Sequence, residues 1–273
     1  MTDGTGGRVA TTVSRPDATS PALALENVTV RFGGITALDD VALAVTPGEV
    51  CGLIGPNGAG KTTLFDVISG VRPPDSGRVL LDGVDATTWS AVRRARGGLR
   101  RTFQRVQTFG WLSAADNVLA ALEWEGGGGG LLADLVASPT RRRYERERRR
   151  RAEEVLEFCG LTAIANEPAG SLPIGTSRMV EVARALVDPP RVLLLDEPTS
   201  GLEEREVARL HDLIRAIGRE HSCAVLVVEH DVGFVMDLCD RVVVLELGRV
   251  LAAGRPEEIQ SNTAVRTAYL GEA

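Results

Sequence analysis

The stretch Gly55-Pro56-Asn57-Gly58-Ala59-Gly60-Lys61-Thr62 carries glycine, lysine and hydroxyl side chains at the spacing a triphosphate demands. Its glycines let the chain curl until successive backbone N–H groups point inward at phosphate oxygens. A helix beginning at Gly60 adds the positive end of its dipole at the same place. Lys61 supplies a mobile charge for the β- and γ-phosphates, and the Thr62 hydroxyl is a ligand for Mg2+. By itself this loop specifies a nucleoside triphosphate, not what its hydrolysis achieves.

A second reactive group follows the apolar run Val192-Leu193-Leu194-Leu195, which ends in Asp196-Glu197. Open α/β sheets bind ligands at the C-terminal ends of their strands. There Asp196 would hold Mg2+ through water, and Glu197 would orient or deprotonate the attacking water. A positioned general base contributes about 10²- to 10⁴-fold in rate. A lone Asp-Glu pair would read as a charged turn at a strand end, but beside the phosphate loop it completes a hydrolytic site.

These groups need elements to position them. Alternation at Val28, Val30 and Phe32, and again at Val41, Leu43 and Val45, marks half-buried strands. Val50–Ile54 is a short buried strand leading into the loop, and Thr62–Ser69 a helix stopped by Gly70 and Pro73. Val79–Leu81 is a further strand closed by the Asp82-Gly83 turn. Val192–Leu195, Ala224–Val228 and Val242–Leu245 read as buried strands. Between them lie a helix with Leu210, Leu213, Ile214 and Ile217 on one face and a second helix, Val232–Leu238. Strands alternating with helices imply a parallel sheet covered on both faces.

The middle of the chain has another texture. Ala114–Trp124 is expected to be helical, Gly126–Gly130 interrupts it, and Arg141–Arg151 is dense in arginine with Glu145 and Glu147 interspersed. Running on into Val155, Leu156 and Phe158, this reads as a mostly helical subdomain inserted between two halves of a β/α core. The arginine run is either a solvated helix face or a surface attracted to anionic lipid headgroups.

Bulk properties narrow the class. The 273 residues are 44% hydrophobic and 25% charged, which suits one large globular domain or a domain with a smaller one embedded. Aromatics at 4% argue against a stacking platform for single-stranded nucleic acid. A net charge of -6 gives no whole-molecule attraction to phosphate backbones, so no nucleic-acid partner is expected. No window approaches the roughly 18 apolar residues that span a bilayer. Residues 1–20 are polar, lack the apolar core of a secretion signal and are expected to be a disordered tail ahead of a domain at 21–273. Cys51, Cys159, Cys223 and Cys239 lie far apart without a CxxC pair, as small buried residues in a reducing cytosol would.

Taken in order, these motifs resemble the ABC ATPase family, from about Leu23 to Leu270. Phe32, in Arg31-Phe32-Gly33-Gly34, resembles the aromatic that stacks on adenine. Gln104, in Arg101-Thr102-Phe103-Gln104, resembles the Q-loop glutamine that contacts Mg2+ or the water and senses the membrane partner. Ser200-Gly201-Leu202 is similar to the D-loop, and His230 to the switch histidine that contacts the γ-phosphate. The signature usually written LSGGQ stands here as Leu172-Pro173-Ile174-Gly175-Thr176. Ahead of a helix with Met179, Val182, Ala183 and Leu186 on one face, it would aim N–H groups at the partner subunit's nucleotide. Pro173 replaces the serine and Thr176 the glutamine, leaving Gly175, so fewer hydrogen bonds to that phosphate are expected; Glu203 replaces the D-loop aspartate.

The resemblance implies an α/β fold: a P-loop NTPase core with a mainly parallel sheet, an N-terminal antiparallel β portion and a helical subdomain inserted at about 105–185. It implies ATP and Mg2+ as ligands. The nucleotide set would be Phe32, Gly55, Asn57, Gly58, Gly60, Lys61, Thr62, Thr63 and Gly175, and the metal set Thr62, Gln104 and Asp196. Glu197, His230 and Gln104 would be catalytic. Within the family, Arg31-Phe32-Gly33-Gly34, the Leu-Pro-x-Gly signature, Val228-Glu229-His230-Asp231 and Ala268-Tyr269-Leu270-Gly271-Glu272 look like the ATPase subunits of branched-chain amino acid importers. That implies transmembrane permease subunits, a second ATPase subunit in a homo- or heterodimer, a solute-binding protein, and a place on the cytoplasmic face of the cell membrane. The alternatives are a soluble ABC ATPase and a weakly hydrolysing nucleotide-dependent regulator.

Overall fold

Alternating and continuous apolar runs organise two sheets in the computed structural model of the protein, which describes residues 20–123 and 139–267. Residues 1–19 of the expected tail, Trp124, Gly126–Gly130 and Ala268–Glu272 lie outside the described residues.

Strands β1 (Leu23–Phe32), β2 (Ile35–Val45), β4 (Ser76–Leu81) and β5 (Val84–Asp85) form an antiparallel sheet in the order β2-β1-β4-β5. Val41, Leu43 and Val45 alternate inward as the pattern predicts. Phe32 departs from it: register shifts along β1 bring the strand end out, and the ring is 44% exposed.

The second sheet runs β10-β9-β3-β8-β7-β6, from β3 (Val50–Ile54), β6 (Leu99–Arg101), β7 (Val192–Asp196), β8 (Ala224–Val228), β9 (Arg241–Glu246) and β10 (Arg249–Gly254). Its strands are parallel except for β10, an antiparallel edge. Successive residues face opposite cores. Leu193 and Leu195 join a helix-rich core, while Val192 and Leu194 join the core shared with the antiparallel sheet. Burial on both faces explains why these strands read as unbroken apolar runs.

Helix α1 (Lys61–Ser69) follows β3, and its apolar face (Leu64, Phe65, Val67, Ile68) is buried against the antiparallel sheet's core. Gly60 is not its first residue, as expected from sequence, but a left-handed cap at φ 104, so the helix begins at Lys61. Helix α2 (Ala91–Arg96) was not visible in the apolar pattern because its work is polar. Its wholly buried Arg94 donates to the carbonyls of Val67 (2.6 Å) and Ile68 (2.7 Å) in the last turn of α1, the first of which also accepts from the Gly70 amide.

Between β6 and β7 the described residues hold α3 (Ala114–Ala120), α4 (Pro139–Phe158) and α5 (Ile174–Leu186). Helix α3 stops short of the expected Trp124 because Ala121 and Leu122 bond back to Val118 and Leu119, three residues earlier, and tighten the last turn. In the second half of the arginine run on α4, Arg148 pairs with Glu123 and Glu145, Arg149 with Glu145, Arg150 with Glu147 and Glu154, and Arg151 with Glu147. That interleaving favours the solvated-face reading over a lipid-binding surface. Helices α6 (Glu204–His221), α7 (Val232–Leu238), α8 (Pro256–Ser261) and α9 (Thr263–Val265) complete the described chain.

All four cysteines are buried. Desolvation pushes the thiols of Cys51, Cys159 and Cys223 up to about 12, and that of Cys239 up as well. Because the thiolate is the nucleophile, the native chain should resist thiol reagents at neutral pH and expose four reactive groups on unfolding in urea. Rapid labelling of any one of them in the native chain would contradict the packing.

Candidate active site

Strand register brings the reactive residues to one edge. Leu53 of β3 pairs with Val228 of β8, and Val228 pairs with Asp196 of β7. Arg101, the last residue of β6, pairs with Leu194, so β6 ends two residues before β7 at the same edge of the sheet. Past those ends lie the loop from Gly55, Glu229-His230, Glu197 and the segment Thr102-Phe103-Gln104.

The loop geometry demands its glycines. A Cβ at Gly55 would overlap the carbonyl oxygen of Leu245, and one at Gly60 would come within 2.6 Å of the Ala37 carbonyl oxygen. With α1 starting at Lys61, its unpaired amides face the loop's own turn. Asn57, Gly58, Gly60, Lys61, Thr62 and Thr63 line a cleft of about 220 Å³, and Asp196, Glu197 and His230 line it from the other side. The Lys61 ammonium folds back on the loop, donating to the carbonyls of Gly55 (2.6 Å) and Pro56 (3.1 Å). Burial lowers its pKa, opposed by the charges of Glu197 and Asp196.

Glu197 occupies the left-handed region at φ 47, a conformation that costs of order 1–3 kcal/mol and persists where the surroundings impose it. Its amide donates to the Val228 carbonyl at 2.9 Å. Its two carboxylate oxygens are taken from opposite sides. Gln104 Nε2 donates to Oε2 at 2.7 Å, and His230 Nε2 lies 2.9 Å from Oε1. A carboxylate fixed at both oxygens and facing a phosphate-sized cleft can aim one water and accept its proton.

Asp196 is buried, and desolvation raises its pKa while Arg101 opposes the rise. Arg101 spans Asp196 Oδ2 (3.1 Å), Asp66 Oδ1 (2.7 Å) and Ser69 Oγ (3.1 Å), tying β6 and β7 to helix α1. Among the described residues no group of three or more His, Cys, Asp or Glu side chains could hold a metal alone. The oxygen donors Thr62 and Asp196 share the cleft instead, which fits Mg2+, a cation that binds through one or two carboxylates, waters and substrate phosphates.

Four expected residues lie outside the cleft lining: Gly55 and Gln104, which meet it through their bonds to Lys61 and Glu197, and Phe32 and Gly175. The Phe32 ring is covered by the Arg72 guanidinium, 4.0 Å from its centroid. Gly175 stands in the first turn of α5, next to the Glu206 carboxylate that a Cβ there would overlap. Pro173 is the cap of α5, and Ser177 N is the first amide to bond back to it. The replacement therefore removes a hydroxyl and a backbone N–H, while the amides of Ile174, Gly175 and Thr176 stay free of helical bonds.

Sequence reasoning gave no role to the half-buried Arg101 or to the buried Arg178 and Glu229. Arg178 donates to the carbonyls of Gln104 (3.1 Å) and Ser200 (3.3 Å). Glu229 accepts from Thr199 N (2.7 Å), Thr199 Oγ1 (2.6 Å) and His230 N (3.0 Å). A charged residue on an apolar helix face or in an apolar run was the available signal.

The family model described as "ABC transporter" matches residues 38–200, which hold the whole phosphate loop, Gln104, Gly175, Asp196 and Glu197. The chain belongs to the ABC transporter ATP-binding cassettes. A second model, "Branched-chain amino acid ATP-binding cassette transporter", matches residues 249–273 of the cassette. The high-affinity branched-chain amino acid transport ATP-binding protein BraF of Pseudomonas aeruginosa is 42% identical over 93% of this chain and 99% of its own length. LivG of Escherichia coli, bearing the same description, is 39% identical with the same coverage. A crystal structure of the ADP conformation of an ATP-binding cassette of an ABC transporter superposes with a TM-score of 0.79. It has 29% identity and covers 93% of this chain and all of the other. A dimeric post-hydrolysis cassette bound to ADP and Pi superposes at 0.71, with 28% identity, covering 86% of this chain and 98% of that one.

The cassette is thus a nucleotide-binding ATPase of the transporter class, and the expected α/β fold with parallel core and antiparallel sheet stands. Among its described residues no helix is long and apolar enough to cross a membrane. Relatives named as transport subunits disfavour the soluble-ATPase and regulator alternatives.

Proposed function

We propose that this cassette hydrolyses ATP to drive uptake of branched-chain or other hydrophobic amino acids. It would act as a peripheral subunit on the cytoplasmic face of the cell membrane. Its partners would be permease subunits, a second ATPase subunit and, indirectly, a solute-binding protein. Residues 21–273 form the nucleotide-binding domain in this reading, with the helical subdomain at about 105–185.

The observation that carries the reading is the clasp on Glu197, held by Gln104 and His230 across a cleft lined by the phosphate loop. The solute class is supported by the match at 249–273 and the near full-length likeness to BraF and LivG. Identity alone would not separate these from other transport systems. A lipopolysaccharide export ATP-binding protein, LptB of Acidithiobacillus ferridurans, is 41% identical, though over 85% of this chain.

In this mechanism the loop amides and Lys61 bind the phosphates, with Asn57, Gly58, Gly60 and Thr63 shaping the loop around them and Phe32 supporting the base. Thr62, Asp196 and Gln104 would hold Mg2+, which supplies charge neutralisation at the β- and γ-phosphates when bound. Glu197 orients the water and takes its proton, His230 holds Glu197 and meets the γ-phosphate, and Gln104 fixes the other carboxylate oxygen. Gly175 and its helix amides serve the nucleotide of the partner ATPase. Because catalysis of this kind is chiefly positioning and charge stabilisation, the site is complete only in the closed dimer.

Purifying the tagged chain from membranes should bring down permease subunits and a second cassette, and reconstituted vesicles should accumulate leucine on addition of ATP. A chain that copurifies with no membrane protein would overturn this assignment.

A further inference from the structure

Arg178 is 3% exposed, yet its Nε and Nη1 have no hydrogen-bond partner. Only Nη2 is engaged, on the carbonyls of Gln104 and Ser200. A buried guanidinium with unpaired nitrogens is a liability for stability, and apolar replacements at such sites are often neutral or stabilising. What the residue gains is connection. Its two acceptors belong to segments 74 and 22 residues away, and it rides on the helix whose first turn holds Gly175.

The same helix grips the Gln104 segment at two more points, spaced by three residues. Glu181 is buried against the backbone amides of Phe103 and Gln107, with Arg178 and Arg184 supplying opposite charge. Arg184 donates to the Gln107 carbonyl and lies over the Phe109 ring at 5.1 Å. On the far side of Ser200, Glu229 ties Thr199 to the amide of His230. A closed circuit results: Glu197 to Gln104, through Arg178 to Ser200 and Thr199, through Glu229 to His230, and back to Glu197.

We propose that Arg178 is a positioning residue that makes the signature helix, the Gln104 segment and the Thr199-Ser200 turn move as one unit. The helix end that reads the partner's nucleotide then sets the seat of Gln104 on Glu197 in its own subunit. This rests on the assignment of Glu197 and Gln104 as hydrolytic residues.

The test is Arg178→Met in the full chain. Methionine matches the length and removes the unpaired nitrogens, while the carbonyls of Gln104 and Ser200, both in exposed residues, can be hydrated instead. The variant should melt at or above the wild-type temperature and bind Mg-ATP within about threefold of wild type. Turnover should fall about tenfold or more, as a small misplacement in a positioned site can cost up to about 10²-fold. Combined with Gln104→Ala, it should add little to the loss caused by Gln104→Ala alone. Amide exchange should quicken at both 103–109 and 199–203 while the remainder of the helix is unchanged. Arg178→Lys, which keeps a charge but no fork, should fall between.

Wild-type turnover in Arg178→Met, fully additive losses with Gln104→Ala, or unchanged exchange in both segments would each overturn the proposal. A parallel Glu197→Gln variant separates the two ideas. If it turns over normally, the hydrolytic reading fails; if it is inactive while Arg178→Met is fully active, only the coupling fails.

Discussion

Glu197→Gln should bind Mg-ATP and release almost no phosphate. The substitution keeps the shape, the left-handed backbone and a carbonyl oxygen for Gln104 or His230 to engage. It removes the charge and the basic lone pair that would accept a proton from water. A missing general base costs about 10²- to 10⁴-fold, so steady-state hydrolysis should drop into the background. Nucleotide affinity should hold or tighten, because the neutral amide no longer repels the γ-phosphate from across the cleft. Phosphate release and equilibrium nucleotide binding on the same preparation decide the matter. Turnover near wild type would end the case for Glu197 as base, and a parallel loss of binding would mean that the substitution had damaged the cleft itself. His230→Ala should be less severe, since Gln104 still holds the other oxygen.

What could be read from the chain and what could not divides along sequence distance. Gly55–Thr62 carries its chemistry within eight consecutive residues, and Val192–Glu197 delivers its acids directly from an apolar run. Both strands and the helix between loop and turn were legible because local spacing dictates them. The edge strand β10 was not, because Arg249–Gly254 lies at the sheet edge with only partial burial and little apolar contrast. The scaffold behind the acids was hidden for another reason. Arg101 meets Asp196 across 95 residues and Glu229 meets Thr199 across 30, contacts that exist only once β6, β7 and β8 are side by side. Phe32 shows the reverse limit: its place in an alternating pattern suggested half-burial, yet it ends a strand whose register has slipped.

Lys61→Met tests the other half of the site, and its effect should appear in binding rather than in turnover alone. Lys61 is 7% exposed, and its ammonium donates to the carbonyls of Gly55 and Pro56. Burial lowers its pKa, and Glu197 and Asp196 pull it back up, so this cation balances the acids that face it. Methionine fills the same path through the loop, so the nucleotide-free protein should melt close to wild type. A triphosphate entering the altered cleft would meet the carboxylates of Asp196 and Glu197, while Arg101 beside Asp196 is itself engaged with Asp196 and Asp66. Truncating one partner of a desolvated charge pair costs about 2–5 kcal/mol, equivalent to roughly thirty- to several-thousandfold in Kd. The clearest readout is thermal. Ligand at a hundred times Kd stabilises a protein by about 2.7 kcal/mol, so Mg-ATP at that concentration should raise the melting temperature of the wild type and stabilise Lys61→Met by about a third as much or less. An equal shift in both proteins would mean that the triphosphate is held elsewhere, and the roles given to Thr62, Asp196 and Glu197 would fall with it.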